Sequence, residues 1–324
     1  MPTDHLTLPT DHITARVEAV LGGAPASDDA ELSDAVETYR TAGRAALEQR
    51  QERAWFQAHV RPRDWPTVET TFATRIAPSL DQLGGFGWWY LRKYPDWRLR
   101  VRTDKHDAAR SILDRLVGQG VIAGWQESIY EPETAAFGGG YAMSTVHDLF
   151  CADSRGVLTY AQQTTPGMGR RELSLLLIRA LQQHAGLDPF EAGDVFDRVA
   201  HLRPPLDDAN HARVHDLAAR MQPTLSIPVR ADNPLFAASG PLSYAAPWLA
   251  AHIDAGRYLR RGATNGSLER GLRAILAQIV IFHWNRLGLP ATTQSALAHA
   301  AKAALAQFFR QGRISIKRKD AFRE

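Results

Sequence analysis

Residues 88–102, WWYLRKYPDWRLRVR, decide the fold of this chain. Arg98, Arg100 and Arg102 occupy every second position and alternate with two aliphatic residues. Because successive strand side chains point to opposite faces, this spacing predicts three guanidinium groups on one face and an apolar core on the other. Three guanidinium groups on one face favour binding of a carboxylate or phosphate, because each presents a rigid set of N–H donors. An edge strand with charged residues facing water would show the same sequence pattern.

The segments around this stretch predict an α+β fold. Apolar spacing predicts strands at 55–60 and near 121–130, and helices over 65–83 and 107–119. We therefore expect a mixed β-sheet with helices on one side, a helix-rich N-terminal extension and a helical C-terminal half.

The same reading divides the chain into three parts. Residues 1–53 are expected to form a helical extension of two or three helices. Residues 54–310 are expected to form the main domain, and residues 311–324 a solvated basic tail.

Composition excludes several classes of protein. Lys and Arg number 38 against 35 Asp and Glu, so the formal charge of +3 is not the footprint of a nucleic-acid-binding protein. The single cysteine, Cys151, cannot form an internal disulfide, and no apolar run approaches the roughly 18 residues of a membrane span. The N-terminus lacks the features of a secretory signal, so we expect a cytoplasmic protein.

Standard catalytic signatures are missing from the sequence. It contains no phosphate-binding loop, serine elbow, paired-cysteine zinc pattern or His-Glu-x-x-His helix. His211 and His215 could share a helical face, but this spacing is more typical of an exposed helix. We expect neither a metal nor another cofactor.

Two segments carry candidate proton-transfer groups. Glu133 follows a predicted strand and precedes a glycine-rich turn, where it could act as a base or remain a solvated loop residue. His283 lies in an apolar helix, where it could be a satisfied core residue or a proton shuttle.

Five motifs in a fixed order resemble the thiopeptide-type bacteriocin biosynthesis proteins, relatives of the C-terminal elimination domain of class I lanthipeptide dehydratases. The motifs are WWYLRKYPDWRLR (88–100), YEPETAAFGG (130–139), HDLFCADS (147–154), RRELSLLL (170–177) and FHWNRLGL (282–289). The resemblance extends from about residue 55 to about residue 309. The first fifty residues match only the helical extension of some stand-alone members, and the resemblance makes residues 1–53 a candidate surface for docking a leader peptide.

The resemblance implies a stand-alone enzyme that tailors a ribosomally made, post-translationally modified peptide (RiPP). The favoured reaction expels glutamate from a glutamylated Ser or Thr and leaves dehydroalanine or dehydrobutyrine. Such a site needs a base, an anion clamp and a proton donor, because enolate charge develops while a carboxylate departs.

Site residues follow from the resemblance. Arg98 and Arg100 match an Arg-Leu-Arg pair that would hold the glutamyl group, and Glu133 would transfer a proton or orient an arginine. His283 lies near the family's histidine before Asn-Arg and would complete the catalytic set. The residues expected to bind substrate are Tyr90, Arg92, Arg102, Tyr130, Asn285 and Arg286.

One departure from the family pattern leaves other reactions open. Ala136 stands where elimination domains usually carry arginine. An alternative is a thiopeptide pyridine synthase, which joins two dehydroalanines by a formal aza-[4+2] cycloaddition and releases the leader peptide; a second is a non-catalytic peptide-binding subunit. Another arginine beside Ala136, such as Arg92, Arg102 or Arg286, would favour elimination, whereas an aromatic pocket poor in arginine would favour cycloaddition.

The resemblance also implies partners. The main one is a precursor peptide with its leader, and a separate tRNA-dependent glutamylating dehydratase subunit is a second candidate. We expect no association with a membrane and no direct contact with nucleic acid. The possibility of a homodimer is left open.

Overall fold

A computed structural model describes residues 10–25, 29–84, 87–230 and 232–320. The chain divides into two compact units, Met1–Ala54 and Trp55–Glu324. In the described part of the first unit, helices α1 (Thr10–Leu21) and α2 (Ala30–Arg53) share a small apolar core. Asp29 helps to start α2, because its carboxylate accepts a hydrogen bond from the backbone N–H of Leu32.

The second unit contains a four-stranded sheet in the order β2–β3–β1–β4. The strands are β1 (Trp55–Pro62), β2 (Gly87–Lys93), β3 (Asp96–Arg102) and β4 (Ile122–Ser128). The α+β class is confirmed, but every described strand pairing is antiparallel, so the sheet is not mixed. Residues 88–102 form a hairpin of two strands, with the turn at Tyr94 and Pro95, because proline lacks the N–H that a continuing strand would need.

One face of the sheet is apolar, as the alternation in β3 predicts. Trp97, Leu99 and Val101 are buried there with Phe56 and Val60 of β1. The elements that follow β1 and β3 contribute to the same core: α3 (Val68–Thr71), a π-helical turn (Phe72–Ile76), α4 (Ala77–Asp81) and α5 (His106–Gly118). The helix expected over 65–83 is therefore divided into three pieces.

The other face carries the alternate arginines of β3. Helices α6 (Gly140–Ala161) and α11 (Leu272–Arg286) pack over β2 on this side, so helices flank both faces, whereas we expected them on one. The helices cover this face of β1 and β4 incompletely, as shown by His59, which is only half-buried, and Gln126, which is exposed.

The C-terminal half is helical, as expected. It contains α7 (Arg170–His184), α8 (Pro189–His201), α9 (Asp208–Leu225), α10 (Ala246–Thr264) and α12 (Ala291–Asp320). Helix α12 runs through most of the segment that we expected to be a separate tail. Within the described ranges, no helix has both the length and the apolar character needed to cross a bilayer.

Candidate active site

Arg100 is the central residue of the candidate site. It is 7% exposed, and its Nε donates a 2.7 Å hydrogen bond to Oε1 of Gln57, which lies opposite it on β1. Its guanidinium carbon lies 4.2 Å from the ring centroid of Trp89 and 5.3 Å from that of Tyr130. Aromatic rings and a neutral amide therefore hold this cation.

Arg100 has no counter-charge at ion-pair distance within the described chain. Its Nη1 is buried and finds no hydrogen-bond partner there. Burial lowers the pKa of Arg100 to about 10, an effect that the nearby Glu133 carboxylate partly opposes, so the side chain stays charged near neutral pH. A buried, unpaired guanidinium favours an anion or a polarised carbonyl oxygen as its ligand.

A neutral pair, Tyr130 and His147, lies beside Arg100. The Tyr130 hydroxyl and His147 Nε2 are 2.7 Å apart. Burial, reinforced by Arg102 and Arg100, lowers the pKa of His147 to about 3, and burial raises the pKa of the Tyr130 phenol. Both groups are uncharged near pH 7, so the pair can accept and donate protons without adding charge to the core.

Aromatic rings complete the surroundings of Arg100. The ring centroids of Trp55 and Tyr130 are 5.6 Å apart, and those of Trp89 and Phe150 are 4.9 Å apart. Phe282 stacks on Phe150 at 5.2 Å. We call Trp55, Trp89, Arg100, Tyr130 and His147, with these flanking rings, the Arg100 cluster.

The Phe-Gly-Gly motif positions the start of α6 behind this cluster. Gly138 and Gly139 have φ values of 91° and 88°, which other residues rarely adopt. A Cβ on Gly138 would also collide with Ile275 of α11, and one on Gly139 with Glu269. The two glycines therefore serve backbone conformation and helix packing.

Three other sequence-predicted residues lie in or beside the cluster. Arg98 is half-buried on the same face of β3 as Arg100 and has no described ion pair or side-chain hydrogen bond. Arg102 packs over Trp55 and forms a 2.7 Å ion pair with Asp148. Glu133, exposed at the start of the 3-10 turn Thr134–Phe137, lies close enough to Arg100 and Tyr130 to influence both pKa values.

Three predicted residues lie elsewhere. The Tyr90 ring is buried on the opposite face of the sheet, 4.3 Å from the ring of Trp97. Arg92 is ion-paired with Glu69 of α3. Asn285 accepts a 2.9 Å hydrogen bond from Gln294 and takes no part in the cluster.

His283 and Arg286 belong to a separate, buried network. His283 is 2% exposed, with Nδ1 2.7 Å from Oδ1 of Asp153 and Nε2 2.8 Å from Oγ of Ser174. Arg286 pairs with the other oxygen of Asp153 and donates to the backbone carbonyl of Tyr90 at 3.1 Å. The expectation that His283 would face the arginines of β3 is not met, because both of its ring nitrogens are engaged in the core. A catalytic role for His283 finds no support in this placement.

This network also contains a group with metal-ligand chemistry. The candidate ligand atoms of Asp153, His252 and His283 lie within 4.8 Å of one another. However, Trp248 Nε1 donates to Oδ1 of Asp153 at 2.7 Å, and the guanidinium of Arg286 already supplies the positive charge. We assign the group to the stability of the core.

Sequence reasoning missed His147, Gln57, Trp89 and Asp153 as members of these two clusters. A signal for two of them was present in HDLFCADS, where His147 and Asp153 are polar residues among the apolar positions of α6 that are buried. Buried polar side chains in a helix need partners, and both have them.

Comparison with protein families gives the class of protein to which this geometry belongs. Residues 55–305 match the family described as lantibiotic biosynthesis dehydratase C-term, so the chain belongs to that family. The family resemblance stated from the sequence is confirmed.

Two solved structures share the fold. One is the tRNA dependent lantibiotic dehydratase MibB from Microbispora sp. 107891, with 17% identity, a TM-score of 0.57, and coverage of 80% of this chain and 28% of MibB. The other is TbtD, a pyridine synthase from thiomuracin biosynthesis, with 14% identity, a TM-score of 0.57, and coverage of 78% of this chain and 98% of TbtD. At these identities the likeness is one of fold. No curated protein matches the chain.

Proposed function

We propose that this chain is a RiPP tailoring enzyme that forms a six-membered nitrogen heterocycle from two dehydroalanines of a precursor peptide and releases the leader peptide. The observation that carries this proposal is the composition of the Arg100 cluster. A neutral Tyr130–His147 pair and several aromatic rings surround a buried arginine, Arg100, for which the described residues provide no counter-charge.

The ion pairing of three arginines is our reason to propose cyclisation rather than the elimination that the sequence alone favoured. Arg92, Arg102 and Arg286, the candidates to replace the arginine missing at Ala136, are each ion-paired with a carboxylate. A clamp for a glutamyl carboxylate would need these cations to be free. Cyclisation needs instead a shaped apolar surface and groups that move protons between neutral partners.

The chemistry of ring formation matches these groups. An amide between the dehydroalanines reacts as its iminol tautomer, and two carbon–carbon bonds close the ring. Loss of water from the former amide carbon and loss of the leader as a carboxamide then make the ring aromatic, so no oxidant is required. In this scheme Tyr130 and His147 relay the protons, and Arg100 donates a hydrogen bond to the oxygen that leaves as water.

Glutamate elimination is the second candidate, and one contact favours it. Nη1 of Arg270 donates a 2.9 Å hydrogen bond to the backbone carbonyl of Ala136, which places an exposed cation beside the position of the missing arginine. Together with Arg98 and Arg100, Arg270 could hold a glutamyl carboxylate near Glu133.

Product masses from two substrates separate these reactions. The protein is incubated with a leader-bearing bis-dehydroalanine thiazole peptide and, separately, with a glutamylated Ser peptide. We expect loss of water and of the leader from the first peptide, with formation of a macrocycle. Release of glutamate from the second peptide alone would replace cyclisation by elimination, and the absence of both products would leave a peptide-binding subunit.

A further inference from the structure

A cavity of about 380 Å³ lies on the face of the sheet opposite to Arg100. Its floor is formed by buried apolar side chains of β1, β3 and the π-helical turn, including Val60, Trp97 and Phe72. The exposed side chains of Arg63 and Arg75 line its rim. Because strand side chains alternate, this cavity is separated from the Arg100 cluster by the sheet itself.

The rim of the cavity is positively charged. Arg63 donates to the backbone carbonyl of Gly120 at 3.3 Å, and Arg75 reaches Oε1 of Gln119 at 3.5 Å. In the described part of the chain, neither arginine forms an ion pair with a carboxylate. The acid on the rim, Asp64, accepts a 2.7 Å hydrogen bond from the Thr67 hydroxyl. Two arginines against one acid leave the rim with an excess of positive charge.

The surface beside the rim of the cavity is aromatic. Beside the rim, the rings of Trp65 and Tyr94 lie 5.3 Å apart, and Tyr94 is 81% exposed. The cavity can therefore take an apolar side chain, while its surroundings contact carboxylates and a further stretch of chain.

We propose that this cavity binds an acidic, apolar segment of the precursor peptide, away from the residues that react. An aliphatic or aromatic side chain rests on the floor formed by the stacked rings of Phe72 and Trp97, and flanking carboxylates contact Arg63 and Arg75. The cavity volume falls in the range of roughly 300–1,000 Å³ that is usual for ligand sites. The inference rests on the proposed function in one respect, that the substrate is a peptide. It moves the docking surface from residues 1–53, where the sequence suggested it, to the main unit.

Binding of defined peptides tests this proposal without any reaction. The probes are blocked tetrapeptides Ac-Glu-X-X-Glu-NH2, with X drawn from Leu, Phe and Val, and their Gln-for-Glu counterparts, measured by calorimetry. We expect the acidic peptides to bind, and the double variant Arg63→Glu with Arg75→Glu to weaken binding by about tenfold or more. Thr71→Trp, which fills the cavity with a ring and changes no charge, should also weaken it.

Two control variants make the result specific. Arg115→Glu reverses an exposed arginine of α5 that does not line the cavity, and it should bind the probes as the wild type does. Arg100→Gln should lose product formation and keep probe binding, so failure of the proposed reaction is distinguishable from failure of the cavity proposal. No binding by any acidic peptide, equal binding of the Gln peptides, or equal loss in Arg115→Glu would overturn the cavity proposal.

Discussion

Arg100 and Arg286 lie near the same tryptophan but in opposite electrostatic situations. Their guanidinium carbons are 4.2 Å and 5.7 Å from the ring centroid of Trp89. Arg286 is fully buried and paired with Asp153, whereas Arg100 is 7% exposed and, among the residues that the structure describes, bonds to the neutral amide of Gln57 alone. The first arrangement neutralises the buried charge, and the second leaves it available to a ligand.

This difference distinguishes residues that stabilise the folded state from residues available to bind the substrate. A buried ion pair becomes strongly destabilising when one partner is removed, because the other charge is left uncompensated. A buried cation without a counter-charge lowers the free energy of unfolding. A protein retains such a cation where a ligand supplies the missing negative charge or hydrogen-bond acceptor. The predictions below test whether the two arginines divide in this way.

The largest effect is expected for Asp153→Ala. This change leaves Arg286 and His283 without their carboxylate, so the free energy of unfolding should fall by about 3–5 kcal/mol. Urea denaturation followed by circular dichroism measures it. Arg110→Ala, which removes exposed ion pairs with Glu127 and Asp107, serves as the matched control and should leave the midpoint almost unchanged. Equal midpoints for the two variants would refute the stabilising role of the network.

The second effect is expected for Arg100→Gln. Loss of the donor that faces the reacting oxygen should lower kcat/KM by about 10²–10³. The free energy of unfolding should change by less than about 2 kcal/mol, since one hydrogen bond to Gln57 is lost and an unpaired charge is removed with it. Arg115→Gln on α5 is the control for activity. An Arg100→Gln variant with wild-type turnover would contradict the function assigned to the unpaired cation.

Tyr130→Phe should produce the third effect. The change removes one hydroxyl from the pair with His147 and keeps the ring that contacts Arg100. Without the relay, kcat should fall by about 10² while KM changes little. Steady-state kinetics on the bis-dehydroalanine peptide tests this, and a change confined to KM would assign the hydroxyl to binding.

The smallest effect per step is the pH dependence of stability, measured for one histidine over one pH unit. The folded-state pKa of His147 is lowered to about 3 and that of His252 to about 4, chiefly by burial, so the unfolded chain binds more protons below pH 6.5. Stability should therefore fall as the pH drops from 6.5 towards 4, by about 1 kcal/mol per unit for each histidine. Denaturation at pH 7, 6 and 5 measures the slope, and His147→Gln should reduce it. An unchanged slope in that variant would show that His147 does not stay neutral in the folded protein.

Local patterns in the sequence predicted much of the fold. The alternation in 98–102 correctly placed Arg98, Arg100 and Arg102 on one face and the aliphatic residues in the core. The order of helices and strands followed from apolar spacing. The hairpin turn at Pro95 and the antiparallel pairing were missed, because a repeating strand pattern continues through a short turn without a change of period.

The site was predicted less completely than the fold. Arg100, Tyr130 and Glu133 lie close together, because one strand and the segment after β4 carry them, and their catalytic roles stay predictions. His283 was assigned to the site by its resemblance to the family's histidine before Asn-Arg, because the residue pattern of an apolar helix alone leaves open whether a histidine faces a pocket or the core. Its environment depends on Asp153 and Ser174, which lie 130 and 109 residues away in the chain, and no local pattern reports such contacts.

Gly138 and Gly139 have a consequence for how relatives of this chain are compared. Both glycines are required by backbone conformation and by close contact with α11 and Glu269, and neither contributes a functional group. A sequence search that uses the Phe-Gly-Gly motif therefore finds proteins with the same fold, irrespective of the reaction that each of them catalyses. Sorting such a collection by chemistry requires the side chains around the strand arginine, above all the pair equivalent to Tyr130 and His147.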